Sequence, residues 1–414
     1  MLRANHLLVS ACVLVALSFG VVACGDGEEG GNKAASGSKS LTIYSSLPLQ
    51  GASRARARSI ENGEKLALAE AGGKAGEFGI SFKSLDDSTA EAGEWQPKQT
   101  AANARTAAQD KTTIAYIGDM DSGASAVSIP VLNEIGILQI SPSNTAVGLT
   151  RSDGAEKGEP DKYYPAGNRN YGRVVPADHI QSAAQVSFQS DSGCSTTFIL
   201  HGDEVYSRSL ADQVESAAKG TDLEIVGNRS VDADADDYRS LASEVSDTGA
   251  DCVFFSGYTQ DNAAQLFKDL HALNPGAKLF GSDGVAESAF TQQLGSGVQR
   301  ATYLTHPALD RKLLPRAGRE FFKNYKARYG IDPDPYAIYG YEAMSVVLQA
   351  IRNAGNKGND RQAVIDAFFQ TRDRDSVLGK YSIDENGDTS LSSYGGYRVV
   401  DGKMVFDTQI KPKK

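Results

Sequence analysis

The sequence predicts an α/β fold made of two doubly wound parallel sheets in series, and three observations carry that reading. Short apolar runs alternate with segments of helical period. Polar residues cluster directly after the apolar runs. A longer irregular stretch (151–177) divides the series in two. Strands separated by helices of roughly 10–15 residues form βαβ units, and the resulting parallel sheets are covered on both faces, so their strands read as continuous apolar runs. At 414 residues the chain is long enough for two or three domains rather than one core.

The elements follow in order. LTIYSSL (41–47), ISFKSL (80–85), TIAYIG (113–118) and GILQIS (136–141) read as the strands of a first sheet. TTFILHG (196–202), LEIVGNR (223–229), CVFFSG (252–257) and AKLFGS (277–282) read as those of a second. Between them, 60–72, 99–109, 124–135, 209–219 and 263–273 place apolar residues at i, i+3 and i+4, the spacing of one buried helix face. The polar clusters Asp119 to Ser125, Ser141 to Thr145, Gly202 to Tyr206, Ser256 to Thr259 and Gly281 to Gly284 fall at the carboxyl ends of these strands. In open parallel sheets ligands bind at those ends. Two sheets whose carboxyl edges face each other would enclose a small polar molecule.

The N-terminus has the layout of an export signal. Arg3 precedes an apolar run from Leu7 to Ala23, and glycine-rich polar sequence follows at once, which fits a signal peptide over 1–23 better than a spanning helix. Val21-Val22-Ala23-Cys24 resembles a bacterial lipobox, so Cys24 is expected to carry lipid, with 24–40 as a flexible tether. Ordinary secretory cleavage near the same place is the alternative. The lipobox reading makes the protein an extracytoplasmic lipoprotein anchored to the cell membrane. Cys194 and Cys252 then remain in the exported body, each at the start of an apolar run. They form either a disulfide, as an oxidising compartment allows, or two buried free thiols.

Composition and motifs exclude several classes. A formal net charge of −10 argues against nucleic-acid partners and against a polybasic lipid-binding face. The five histidines show no metal-ligand pairing, and Asp232–Asp237 and Asp384–Asp388 lack the full calcium-loop pattern. No Gly-x-Ser-x-Gly elbow or phosphate loop occurs, so neither an enzyme nor a metal or organic cofactor is expected.

A series of blocks resembles the type I periplasmic binding proteins, specifically the leucine/isoleucine/valine-binding proteins of bacterial ABC transporters. They are PLQG…NGEKLALAEAGG (48–73), YIGDMDSGASAVSIPVLNEIGILQISPSNTAVGLT (116–150), FILHGDEVYSRSLADQV (198–214), FFSGYTQDNAAQL (254–266), LFGSDGV (279–285) and VLGKYSIDENGD (377–388). The resemblance implies two lobes joined by a three-strand hinge, with an N-lobe at 41–177 and 305–390 and a C-lobe at 178–304 and 391–414. It implies a monomeric receptor that captures an amino acid or a related small zwitterion or amide by hinge closure and passes it to ABC permease and ATPase subunits. A sensory module of the same fold is the alternative.

Motif by motif, the resemblance assigns Ser122, Ser143 and Thr145 to the ligand carboxylate, and Tyr206 and Tyr258 to closure over the ligand. Asp283 is assigned to the ammonium, in a Gly-Ser-Asp-Gly turn where the family has Gly-Pro-Glu-Gly. Two departures stand out. Arg56, within Arg54-Ala55-Arg56-Ala57-Arg58, occupies the place of a pocket aromatic; it either lines the side-chain subsite, favouring acidic or amide ligands, or belongs to a solvated cation row. An insertion over 159–172 brings Tyr163, Tyr164 and Tyr171 to an expected position on the cleft rim. The family's N-lobe disulfide is absent, with Ser88, Thr89 and Asp121 in its region.

Overall fold

The computed structural model describes residues 39–411; the signal segment and Cys24 lie outside the described residues. A first sheet is built from β1 (Ser40–Leu47), β2 (Lys74–Ala75), β3 (Phe78–Asp86), β4 (Thr113–Gly118), β5 (Leu138–Ser141) and β6 (Tyr171–Arg173), in the order β2-β3-β1-β4-β5-β6. All of its pairings are parallel except β2 with β3. Helices α1 (Arg54–Glu70), α2 (Pro97–Gln109) and α3 (Ser122–Ile135) connect these strands. β1 is buried from Leu41 onward and β4 throughout, as strands covered on both faces must be. Gly136 stops α3 by entering the left-handed region (φ 66°), and the chain turns directly into β5.

The chain then enters a second sheet through α4 (Asp178–Asp191). There β7 (Thr196–His201), β8 (Glu224–Ser230), β9 (Cys252–Ser256), β10 (Lys278–Gly281) and β11 (Thr302–His306) pair in parallel, linked by α5 (Val205–Ala218), α6 (Arg239–Asp247), α7 (Ala263–Leu273), α8 (Ser288–Thr291) and α9 (Ser296–Ala301). It returns to cover the first sheet with α10 (Arg316–Tyr329), α11 (Ala337–Asn353), α12 (Arg361–Phe369) and the hairpin β12 (Arg374–Ser376) and β13 (Gly379–Tyr381). A final crossing adds β14 (Tyr394–Val400), antiparallel to β11, and β15 (Lys403–Ile410), antiparallel to β14, completing the order β15-β14-β11-β10-β9-β7-β8. The described residues therefore pass between the two lobes three times.

Each sheet has its own core. Ile43, Ile117, Met344, Val347 and Phe368 are among the residues filling the first. The second sheet is packed on both faces, with Phe255, Leu266 and Phe290 on one and Leu210, Phe254 and Phe280 on the other. In both sheets strand order reverses beside the first strand entered, between β1 and β4 and between β7 and β9. Such switch points leave a crevice at the carboxyl ends where a ligand can sit. Cys194 and Cys252 are joined as a disulfide across the start of β7 and β9, whose register pairs Thr197 with Cys252.

Several expectations need correction. β11 runs to His306, so the second sheet extends two residues beyond the expected boundary at 304. Tyr163, Tyr164 and Tyr171 do not form a cleft rim; they pack with Ile129, Ala146 and Leu149 in a small core of the first lobe. Their hydroxyls are held there, Tyr164 donating to the Leu149 carbonyl (2.7 Å) and Tyr171 to Asn144 Oδ1 (3.1 Å). The Asp384–Asp388 turn is anchored structurally, since Arg173 Nε donates to Asp388 Oδ1 at 2.7 Å in a fully buried pair.

Candidate functional site

The N-lobe wall is the N-terminus of α3 and the loop after β5. Ser122 is the first residue of α3, and its Oγ accepts the Ala146 N–H at 3.3 Å. Ser143 Oγ and Asn144 Nδ2 both donate to the Met120 carbonyl at 2.8 Å, which ties the loop after β5 to the loop after β4. Thr145 is buried with no partner within hydrogen-bond distance of its Oγ1, although the hydroxyl eases the buried Asp178 carboxylate from slightly farther away. The wall thus presents the Thr145 hydroxyl and the N-terminus of α3, an anion-favouring end whose Gly123 N–H is taken by Glu204 of the opposite lobe.

The C-lobe wall is acidic and aromatic. Asp283 sits in the turn after β10, and its Oδ1 accepts from Gln181 Nε2 and from the Tyr206 hydroxyl, each at 2.7 Å. Tyr206 and Tyr258 lie side by side with ring centroids 5.1 Å apart. Gly284 must be glycine, because a Cβ there would lie 2.2 Å from the Gly257 carbonyl oxygen. Burial, followed by the charge of Asp283 for Tyr206 and of Glu204 for Tyr258, raises both phenol pKa values well above normal and keeps both as neutral donors.

Three contacts stitch the walls together. Tyr336, which precedes α11 in the N-lobe, donates its hydroxyl to Asp283 Oδ2. Glu204 of the C-lobe accepts the Gly123 N–H on Oε1 and the Tyr206 N–H on Oε2, both at 2.6 Å. Burial pushes the Glu204 carboxyl up to about 7 even though these N–H groups favour its ionised form. Arg56, on α1, donates from Nη2 to the Ala286 carbonyl at 2.9 Å and lies 3.5 Å from Glu287 and 4.0 Å from Asp334. Burial opposes its charge, but Glu287 and then Asp334 outweigh it and hold the guanidinium above its ordinary pKa.

Ser122, Ser143, Thr145, Tyr206, Tyr258, Asp283 and Arg56 all line one cavity between the lobes, which in this closed form is small, about 20 Å³. Arg54 and Arg58 are exposed, whereas Arg56 turns inward. Met120, Asp121, Gly284 and Tyr336 share the lining and were missed from sequence. Asp121 lies in the polar cluster read after a strand but was given no role there, and Tyr336 reaches the cavity only when the chain crosses back to the N-lobe after β11. Among the described residues, one group has metal-binding spacing, Cys194, Asp251 and Cys252, but its two sulfurs are already bonded to each other.

Residues 42–403 match a family model described as periplasmic binding protein. The Leu/Ile/Val-binding protein BraC3 of Rhizobium johnstonii is 25% identical over 370 residues, covering 88% of this chain and 93% of that one. A leucine-binding protein from Thermotoga maritima has a similar structure, with a TM-score of 0.76, 23% identity, and coverage of 90% of this chain and 99% of that one. An ABC-transporter solute-binding protein from Rhodopseudomonas palustris in complex with benzoate is also similar, with a TM-score of 0.73, 20% identity and coverage of 90% and 97%. The fold is shared among proteins whose ligands differ this widely, so the solute must be read from the cleft itself.

Proposed function

Because the chain belongs to the periplasmic binding protein family, a family of extracytoplasmic solute-binding proteins, we propose that it captures an amino acid or related small zwitterion or amide between its lobes and delivers it to an ABC permease with its ATPase. The observation that carries this reading is the pairing of the unpartnered Thr145 hydroxyl on the N-lobe wall with the Asp283 carboxylate on the C-lobe wall across one cavity. A zwitterion presents both charges to such a gap.

Binding and closure are one event in this reading. The ligand touches both lobes only when they are shut, so it shifts the population toward the closed form. Lipid on Cys24 would keep the receptor at the membrane where its permease sits. A thermal-shift screen over the amino acids, short amides, small amines and small dicarboxylates tests the proposal. A true ligand in hundredfold to thousandfold excess over its Kd raises stability by about 3–4 kcal/mol and stands out from the panel. A panel in which no amino acid or amide stands out contradicts it.

A further inference from the structure

We propose that the solute carries a cationic group, an ammonium or guanidinium distinct from the group facing Asp283, and that Asp121 receives it. This rests on the reading of the cleft as the solute site.

Asp121 occupies the N-cap position of α3, where an aspartate ordinarily accepts an N–H from the second or third helical residue. Its side chain makes no such bond. The second helical residue, Gly123, gives its N–H to Glu204 of the opposite lobe instead. Asp121 is 2% exposed, and its Oδ1 has no hydrogen-bond partner. It lines both the central cavity and an adjoining narrow crevice walled by Gln50, Ser53, Glu94, Trp95 and Gln260, which is shut in this closed form. Gln260 Oε1 is a second buried acceptor without a partner in that crevice.

Two unpartnered acceptors beside one crevice call for a donor from the solute. An aliphatic side chain would leave both unsatisfied, which buried polar groups do not tolerate without cost. The cation that acts on Asp121 within the protein, Arg56, gives its Nη2 to the Ala286 carbonyl, and its Nε faces Glu287 and Asp334 at 3.5 and 4.0 Å without a hydrogen bond. The Trp95 ring adds an aromatic wall of the kind that attracts organic cations. Burial, then the charge of Glu204, raises the Asp121 carboxyl pKa well above normal.

Calorimetry of the purified protein with L-lysine, L-norleucine and cadaverine tests the assignment. L-lysine should bind at least tenfold tighter than L-norleucine. Asp121→Asn, close to isosteric, should erase that ratio while its circular dichroism stays unchanged. Norleucine binding as tightly as lysine to the unaltered protein, or a ratio that survives Asp121→Asn, overturns the inference and leaves amino-acid capture standing. Cadaverine binding without either amino acid supports the cation site and removes the amino-acid reading. No binding by any of the three overturns the inference and counts against the amino-acid reading as well.

Discussion

The cleft wall built on the first sheet and the wall built on the second differ in what their polar groups are doing. On the N-lobe side most side-chain hydroxyls are bound within their own wall: Ser143 holds Met120, and Ser122 holds Ala146. On the C-lobe side the acids reach across the gap. Glu204 bonds Gly123, Asp283 receives Tyr336, and Glu287 faces Arg56. The N-lobe wall is therefore assembled whether or not the lobes meet, whereas the C-lobe groups complete their contacts only in the closed form. Closure energy should be carried by cross-lobe pairs and local stability by the N-lobe network.

The largest test of that difference is Arg56→Met. Removing the guanidinium leaves Glu287 and Asp334 facing each other in a closed cleft with no cation between them, and breaking a buried pair in this way costs about 3–5 kcal/mol. In the open form those acids can reach water. Calorimetry should accordingly show solute affinity reduced by about a hundredfold or more, with far-ultraviolet circular dichroism intact. A variant that binds normally would return Arg56 to a wall-lining role.

Glu204→Gln sharpens the comparison through pH. The Glu204 carboxyl is raised from 4.5 to about 7 in the folded protein, so the native state holds this proton more tightly than the unfolded chain does. Its contribution to stability is full below about pH 4.5 and is lost as pH rises through about 7. Denaturant unfolding between pH 4.5 and pH 8 should show stability falling by about 3 kcal/mol from this group. Glu204→Gln should flatten that part of the fall. Asp119 and Asp261, each raised to about 6 chiefly by burial, should leave a residual slope.

The smallest effect belongs to the N-lobe wall. Ser143→Ala removes one donor to the Met120 carbonyl, which keeps the Asn144 amide at 2.8 Å. Denaturant unfolding should register a loss of about 0.5–1.5 kcal/mol, the net worth of one hydrogen bond, with solute affinity changed less than threefold. A larger loss of affinity would place the Ser143 hydroxyl on the solute.

The eight strand runs read from sequence are strands here because parallel strands buried on both faces carry an uninterrupted apolar signal. β14 and β15 were not read, since two glycines and an arginine interrupt the apolar run of β14, and β15, at the sheet edge, is largely exposed and carries charge. β6 has three residues, too few for any period to show. The seven site residues taken from the family motifs share one cavity because each lies at or just beyond a strand's carboxyl end, or on the helix entered from it, and that placement follows from strand order. Arg56 was ambiguous for a different reason. One arginine of three turns inward only because a carbonyl 230 positions downstream, with Glu287 next to it, is waiting on the other lobe. Asp121 fell within a polar cluster read after a strand, but nothing in the sequence shows that Glu204 of the opposite lobe takes the Gly123 N–H beside it.

Small-angle X-ray scattering with and without the amino acid that gives the largest thermal shift tests lobe closure most directly, with Gly123→Ala as the control. A Cβ at Gly123 would lie 2.1 Å from Glu204 Oε1 of the opposite lobe, so that variant shuts its lobes only by displacing the Glu204 carboxylate. The account predicts a smaller radius of gyration on saturation of the unaltered protein and none or little of that change in Gly123→Ala. An unchanged radius for the unaltered protein at saturation, or full compaction of Gly123→Ala, would contradict it.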